Sequence, residues 1–213
     1  MSALLSTISA PVVVETLVKR SRFIARVAPV STPAEADSVI TAVRKEYWNA
    51  SHHCVAMVMG DSGETQRSSD DGEPSGTAGV PMLEVLRQRE VTKVVAVVTR
   101  YFGGVKLGAG GLVRAYGSAV AAALDAATLL RRRTVCSVSI AVPHADAGRF
   151  DNWMREWVRI NDGAVGETSY HHDAEFEVMV PMELVEQFDV DVAAMSAGLL
   201  MPVRGQERIV TMR

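Results

Sequence analysis

The stretch VTKVVAVVTRYFGGVKLGAGGLVRAYGSAVAAALDAATLL, residues 91–130, decides the fold. Residues 91–98 are a nearly continuous β-branched run, the pattern of a central strand covered on both faces. Gly103, Gly104, Gly108, Gly110 and Gly111 then break the chain into a loop. The alanine-rich run 112–130 reads as a helix, since alanine favours helix and lets it sit close to a sheet. A strand, a glycine loop and a helix in that order predict a layered α+β domain.

Working back from this unit, residues 53–59 form a second buried strand, stopped by a turn signal at Gly60, Asp61, Ser62 and Gly63. Residues 33–48 read as an amphipathic helix, with Ala36, Val39, Ile40, Val43 and Tyr47 at helical spacing and Ser31 or Thr32 as its cap. Strands are expected from Val12 to Val18 and from Ser21 to Val27. Residues 64–76 carry no apolar period and predict a loop or an edge. Residues 77–89 predict a helix with Met82, Leu83 and Leu86 on one face.

Beyond Arg131, Arg132 and Arg133, read as a solvated linker, the pattern restarts. Val138, Ile140 and Val142 alternate as a strand, and 145–157 is helical with Phe150, Trp153, Met154 and Trp157 on one face. After a turn at 161–163, residues 165–170 and the alternating Phe176, Val178 and Val180 form a hairpin. A helix opens at 181–184 and a strand closes the chain at 208–212. The order β-α-β-β-α-β describes a ferredoxin-like unit. Two domains are therefore expected, 1–133 and 134–213.

Composition bounds the function. The 213 residues are 48% apolar, enough for two cores. Apolar runs are too short for a membrane helix, and residues 1–21 make a poor secretory signal. Two distant cysteines, Cys54 and Cys136, predict reduced, buried thiols and a cytosolic protein. The net charge of −3 is unevenly divided: residues 1–133 carry 16 Lys and Arg against 12 Asp and Glu, and 134–213 carry 6 against 13. Phosphate contacts need cations, so any nucleic-acid contact belongs to the first half.

Two segments carry more glycine and charge than a core needs. In Ser68-Ser69-Asp70-Asp71-Gly72-Glu73-Pro74-Ser75-Gly76-Thr77-Ala78-Gly79, three acids among glycines could meet a cation or a basic partner. They also fit a solvated turn in which Thr77 caps the next helix, and they lack the ligand spacing of a calcium loop. In the glycine loop 103–111, a strand end meets a helix N-terminus flanked by Arg100, Lys106 and Arg114, which suits an anion. The spacing is neither a Walker A motif nor a dinucleotide fingerprint, and tight strand–helix packing needs glycine too. In His52-His53-Cys54 only His52 and Cys54 can share a strand face, too few ligands for zinc, so a packed histidine and a buried thiol are expected.

Together, SRFIA (21–25), SHHC (51–54), DDGEPSGTAG (70–79) and RYFGGVKLGAGGLVRAY (100–116) resemble, in order, the Impact/YigZ family. The resemblance implies a first domain folded like the second domain of a ribosomal small-subunit protein, as also in elongation factor G, with a β-sheet and helices on one face. It implies a ferredoxin-like second domain, in agreement with the pattern above. The Impact branch is associated with translational control in amino-acid starvation. No settled enzymatic activity comes with the resemblance, so no catalytic residue, metal or cofactor is assigned. The motif surface it transfers is Asp71, Glu73, Thr77, Arg100, Gly103, Gly104, Lys106, Gly108, Gly110 and Arg114.

The expected function is a translation-linked binding or regulatory protein that contacts ribosome, RNA or a translation factor through its first domain. The alternative is a phosphate- or nucleotide-binding enzyme using the glycine loop 103–111, with Asp70, Asp71 or Glu73 brought over it. A third reading is a structural partner that dimerises through the edges of the second domain.

Overall fold

The computed structural model describes residues 4–212. The chain divides into two units, the first ending at Arg132 and the second beginning at Arg133. The first contains β1 (Thr7–Ile8), β2 (Val12–Val18), β3 (Ser21–Pro29), α1 (Pro33–Glu46), β4 (His52–Met59), β5 (Thr65–Ser69), α2 (Gly79–Gln88), β6 (Val94–Tyr101) and α3 (Ala109–Asp125). Five of these strands form an antiparallel sheet in the order β2-β3-β6-β4-β5.

The expectation of helices on one face is corrected by the packing. Phe23, Ala25, Cys54, Ala56, Ala96 and Val98 face α2 and α3, whereas Val55, Met57, Val95 and Val97 face Ala36 and Val43 of α1 on the other side. The reason is in the central strands: β4 and β6 are apolar at successive positions, so both faces must be covered.

Boundaries move for local reasons. Thr32 caps α1 by accepting from the Glu35 amide. The central strand begins at Val94 because Lys93 takes φ 56° and buried Thr92 turns its hydroxyl to the Gly60 carbonyl at 2.7 Å. Helix α3 starts three residues early and ends at Asp125. Leu129 and Leu130 instead open β7 (Leu129–Val142) and pair with Ile8 and Thr7. Arg131, Arg132 and Arg133 are therefore strand and not a solvated linker: the Arg132 side chain is buried and pairs with Asp61.

The second unit takes β7 from Arg133, then α4 (His144–Ile160), β8 (Ala164–Tyr170), β9 (Ala174–Pro181), a 3-10 turn (Met182–Leu184), α5 (Val185–Ser196) and β10 (Val203–Met212). Its strand order is β10-β7-β9-β8, with two helices on one face, the ferredoxin-like arrangement. Phe150, Met154 and Trp157 of α4 pack against Val138, Ile140, Phe176 and Val178. Trp157 meets Phe188 edge-on and donates its indole N–H to Asp191 at 2.7 Å, so the tryptophan face is core. Among the described residues no helix is long and apolar enough to cross a membrane.

Candidate functional site: the glycine loop, the acidic loop and the first hairpin

Strand β6 delivers Arg100 to its end, and the glycine loop carries the chain from there into α3. Arg100 is 5% exposed. It donates Nη1 to Glu73 Oε1 at 2.6 Å and lies over the rings of Phe23 and Phe102 at 5.4 and 5.5 Å. It is thus an internal anchor and not the surface cation that its place beside the glycines suggests. Glu73 is equally buried, and its Oε1 also accepts from the Tyr116 hydroxyl of α3 at 2.7 Å.

The three acids of the acidic loop part company. Asp70 is the cap of α2: its carboxylate accepts from the amides of Gly76, Ala78 and Gly79 at 2.8 to 3.0 Å. Thr77 does not cap that helix. Its hydroxyl turns back to the Pro74 carbonyl at 2.6 Å and closes the loop. Asp71, at φ 45°, accepts from Arg44 and from the His53 amide, both at 2.6 Å. Burial opposes ionisation of both aspartates, but their donors more than offset it and hold the carboxyls below the usual range. Only Glu73 shares a cavity wall with Lys106, Gly108 and Ala109.

His52 and Cys54 point to this loop, as strand parity requires. His52 Nδ1 lies 2.9 Å from the Asp71 carbonyl, and Cys54 Sγ donates to the Asp70 carbonyl at 3.0 Å. Burial pushes the Cys54 thiol up to about 12. Among the described residues no group of three His, Cys, Asp or Glu side chains is placed to hold a metal ion.

The glycines have distinct tasks. Gly103 is a close approach: a Cβ there would collide with the backbone carbonyl of Arg20. Gly104 and Gly108 take φ 81° and 71° with open space above them. Gly110 lies in the first turn of α3, where an added Cβ would meet only Arg114. No side chain caps α3.

The close approach at Gly103 brings in two residues that the sequence does not single out. Lys19 and Arg20 form the two-residue turn between β2 and β3, with φ 45° and 67°. A turn with both central residues left-handed ordinarily uses Asn-Gly or Gly-Gly, and each non-glycine residue there costs about 1–2 kcal/mol. Lys19 and Arg114 line one cavity beside Leu107 and Gly111. Among the described residues Lys19, Arg20, Lys106 and Arg114 have no acidic partner, as is also true of Lys45 and Arg131 elsewhere in this unit, whereas Arg22, Arg26, Arg44, Arg67, Arg87, Arg89, Lys93, Arg100 and Arg132 are paired. Ser21, fully buried under the turn, accepts from the Gly103 amide at 3.2 Å and so fixes the hairpin to the loop. In the sequence the cationic pair is marked only by its place directly before SRFIA.

Residues 19–124 match the family model of the Impact N-terminal domain. The chain is 40% identical to the IMPACT family member YvyE of Bacillus subtilis, over 86% of this chain and 83% of that protein. It is 36% identical to the IMPACT family member YigZ of Escherichia coli, over 90% and 93% of the two chains. A crystal structure of an hypothetical protein superposes with a TM-score of 0.60 at 34% identity, covering 98% of this chain and all of that one. With its motifs gathered around one loop and relatives aligned along nearly their whole length, the chain belongs to the Impact family.

Proposed function

We propose that this protein is a translation-linked binding protein whose first unit contacts the phosphate backbone of ribosomal RNA, with the hairpin turn 19–20 and the glycine loop as the contact. One observation carries the reading. The exposed cations Lys19, Arg20, Lys106 and Arg114 gather around one loop without acidic partners, and two of them stand on a backbone conformation that costs stability. Strain held at an exposed, charged turn is a mark of a functional surface. Uncompensated cations supply the sequence-independent attraction on which phosphate binding depends.

The family's link to translational control and its kinship with a ribosomal-protein fold point the same way. The second unit, with 13 acids against 6 cations over residues 134–213, is unsuited to phosphate and is left for a different partner.

Co-sedimentation of the full chain with ribosomes across a salt series tests the reading. Binding is expected to fall steeply with salt. In the Lys19→Glu, Arg114→Glu double variant it should weaken, and the log–log slope should drop by about 0.7–0.9 for each phosphate that is no longer neutralised. Ribosome binding with an unchanged slope in that variant, or no association at low salt, would sink the proposal.

A further inference from the structure

Beside the cationic patch, the first unit holds a cavity of about 450 Å³ between the acidic loop and the start of α3. That is within the roughly 300–1,000 Å³ of small-molecule sites. Its lining combines three features that a ligand can use.

One is a carboxylate oxygen free to accept. The Glu73 side chain is 4% exposed and lines the cavity. Its Oε1 takes both the Arg100 and Tyr116 hydrogen bonds, so Oε2 has no donor among the described residues. That oxygen opens to solvent on the cavity wall, where it can accept an N–H or O–H from a ligand in place of water.

The second is a positive rim. The amides of Ala109 and Gly110 open α3 without a capping side chain, Gly108 at φ 71° leaves the space above them clear, and the unpaired Lys106 ammonium lines the same cavity. Amides, helix dipole and ammonium together suit a phosphate. The third is an aromatic wall: Phe102 is 51% exposed although Arg100 lies against its ring. An exposed ring above a buried guanidinium is a stacking platform for a nucleobase.

We propose that this cavity binds a nucleoside 5′-phosphate. The phosphate sits on the Ala109 and Gly110 amides with Lys106, the base lies on Phe102, and a sugar or base donor reaches Glu73 Oε2. The same chemistry is offered by a free nucleotide and by the 5′-phosphorylated end of an RNA strand. The site shares Lys106 and the end of the glycine loop with the proposed ribosomal contact, but not Lys19, Arg20 or Arg114.

The test is calorimetric titration of the full chain with the four nucleoside 5′-monophosphates, their parent nucleosides, inorganic phosphate, and a tetranucleotide with and without its 5′-phosphate. At least one phosphorylated nucleotide, free or terminal, should bind at least tenfold more tightly than its unphosphorylated counterpart and than inorganic phosphate. Stronger binding of the monophosphate identifies a free nucleotide, and stronger binding of the tetranucleotide identifies an RNA end. Phe102→Ala and Lys106→Ala, both on exposed side chains that leave the core intact, should each weaken binding at least fivefold. Lys19→Glu with Arg20→Glu, neither of which lines this cavity, should leave it unchanged, which separates this site from the ribosomal contact. No binding of any phosphorylated ligand at millimolar concentration, or binding indifferent to Phe102→Ala and Lys106→Ala, overturns the proposal.

Discussion

Arg100 and Glu73, 27 positions apart in the chain, close a buried ion pair at 2.6 Å that ties the end of the central strand to the acidic loop. The pair is braced by Tyr116 from α3 and by Ser21 from the first hairpin, whose hydroxyl lies 3.4 Å from Arg100 Nη2. Four segments far apart in sequence thus meet through one guanidinium and one carboxylate.

Removing one partner strands the other. Glu73→Ala leaves Arg100 buried without its countercharge and Tyr116 without an acceptor, and Arg100→Ala strands Glu73. Each should cost about 3–5 kcal/mol in urea denaturation. The double variant Glu73→Leu, Arg100→Met removes both charges and should recover most of that loss, because the desolvation of two ions disappears with them. A double variant as unstable as the singles would mean that the pair is needed for packing and not only as mutual compensation.

Asp70 is expected to set part of the acid limit of stability. Burial raises its carboxyl, but the amides of Gly76, Gly79 and Ala78 outweigh that and lower it. The folded state therefore binds this proton less tightly than the unfolded chain. Its contribution is present above the ordinary carboxylate range near 3.9 and is lost as pH falls through the lowered value. Asp70→Ala should cost about 1–2 kcal/mol at neutral pH, as loss of a helix cap does. Asp70→Asn should flatten the acid limb of a stability–pH profile while leaving the share contributed by Asp71.

These two acids show what is legible in the sequence and what is not. Strands β2, β3, β4, β6, β8 and β9, helices α1, α2 and α4 to within a few residues, and the β-α-β-β-α-β order of the second unit follow from periodicity, because each depends on neighbours along the chain. By contrast β1, the polar edge strand β5 and the start of β7 carry no such period. The division of labour in the acidic loop does not. Asp70 and Asp71 are adjacent and chemically alike, yet one caps a helix and the other holds Arg44, because φ 45° at Asp71 turns the chain between them. Arg100 reads as a surface cation because nothing local shows that Glu73 folds onto it. Lys19 and Arg20 escape a reading of the sequence because a left-handed turn built without glycine or asparagine gives no compositional signal.

Cys54 should be inert in the native protein. Burial pushes its thiol to about 12, and Sγ is already donating to the Asp70 carbonyl. At pH 8 the thiolate is a fraction of about one in ten thousand. Alkylation by iodoacetamide should then track opening of the fold, and in denaturant it should rise to the rate of an ordinary cysteine. Because the folded value is raised, stability from this group is complete below the unfolded value near 8.5 and declines as pH climbs toward 12. Native-state labelling of Cys54 at the rate of a free thiol would contradict its burial.

Gly103 and Gly104 are neighbours with different reasons to be glycine, and alanine at each should fail differently. At Gly104 the added methyl meets nothing within 4 Å, and the penalty is the left-handed backbone alone, about 1–2 kcal/mol. At Gly103 the methyl would collide with the carbonyl of Arg20, and backbone cannot swing aside as a side-chain tip can. Either the hairpin turn or the glycine loop must move, at a cost of about 1–3 kcal/mol or more. That movement also breaks the bond from the Gly103 amide to Ser21 and separates Lys19 and Arg20 from Lys106. Gly103→Ala should therefore weaken ribosome co-sedimentation well beyond its effect on the folded fraction, and Gly104→Ala should not. Equal binding by the two variants at matched stability would show that the hairpin and the loop do not act as one surface.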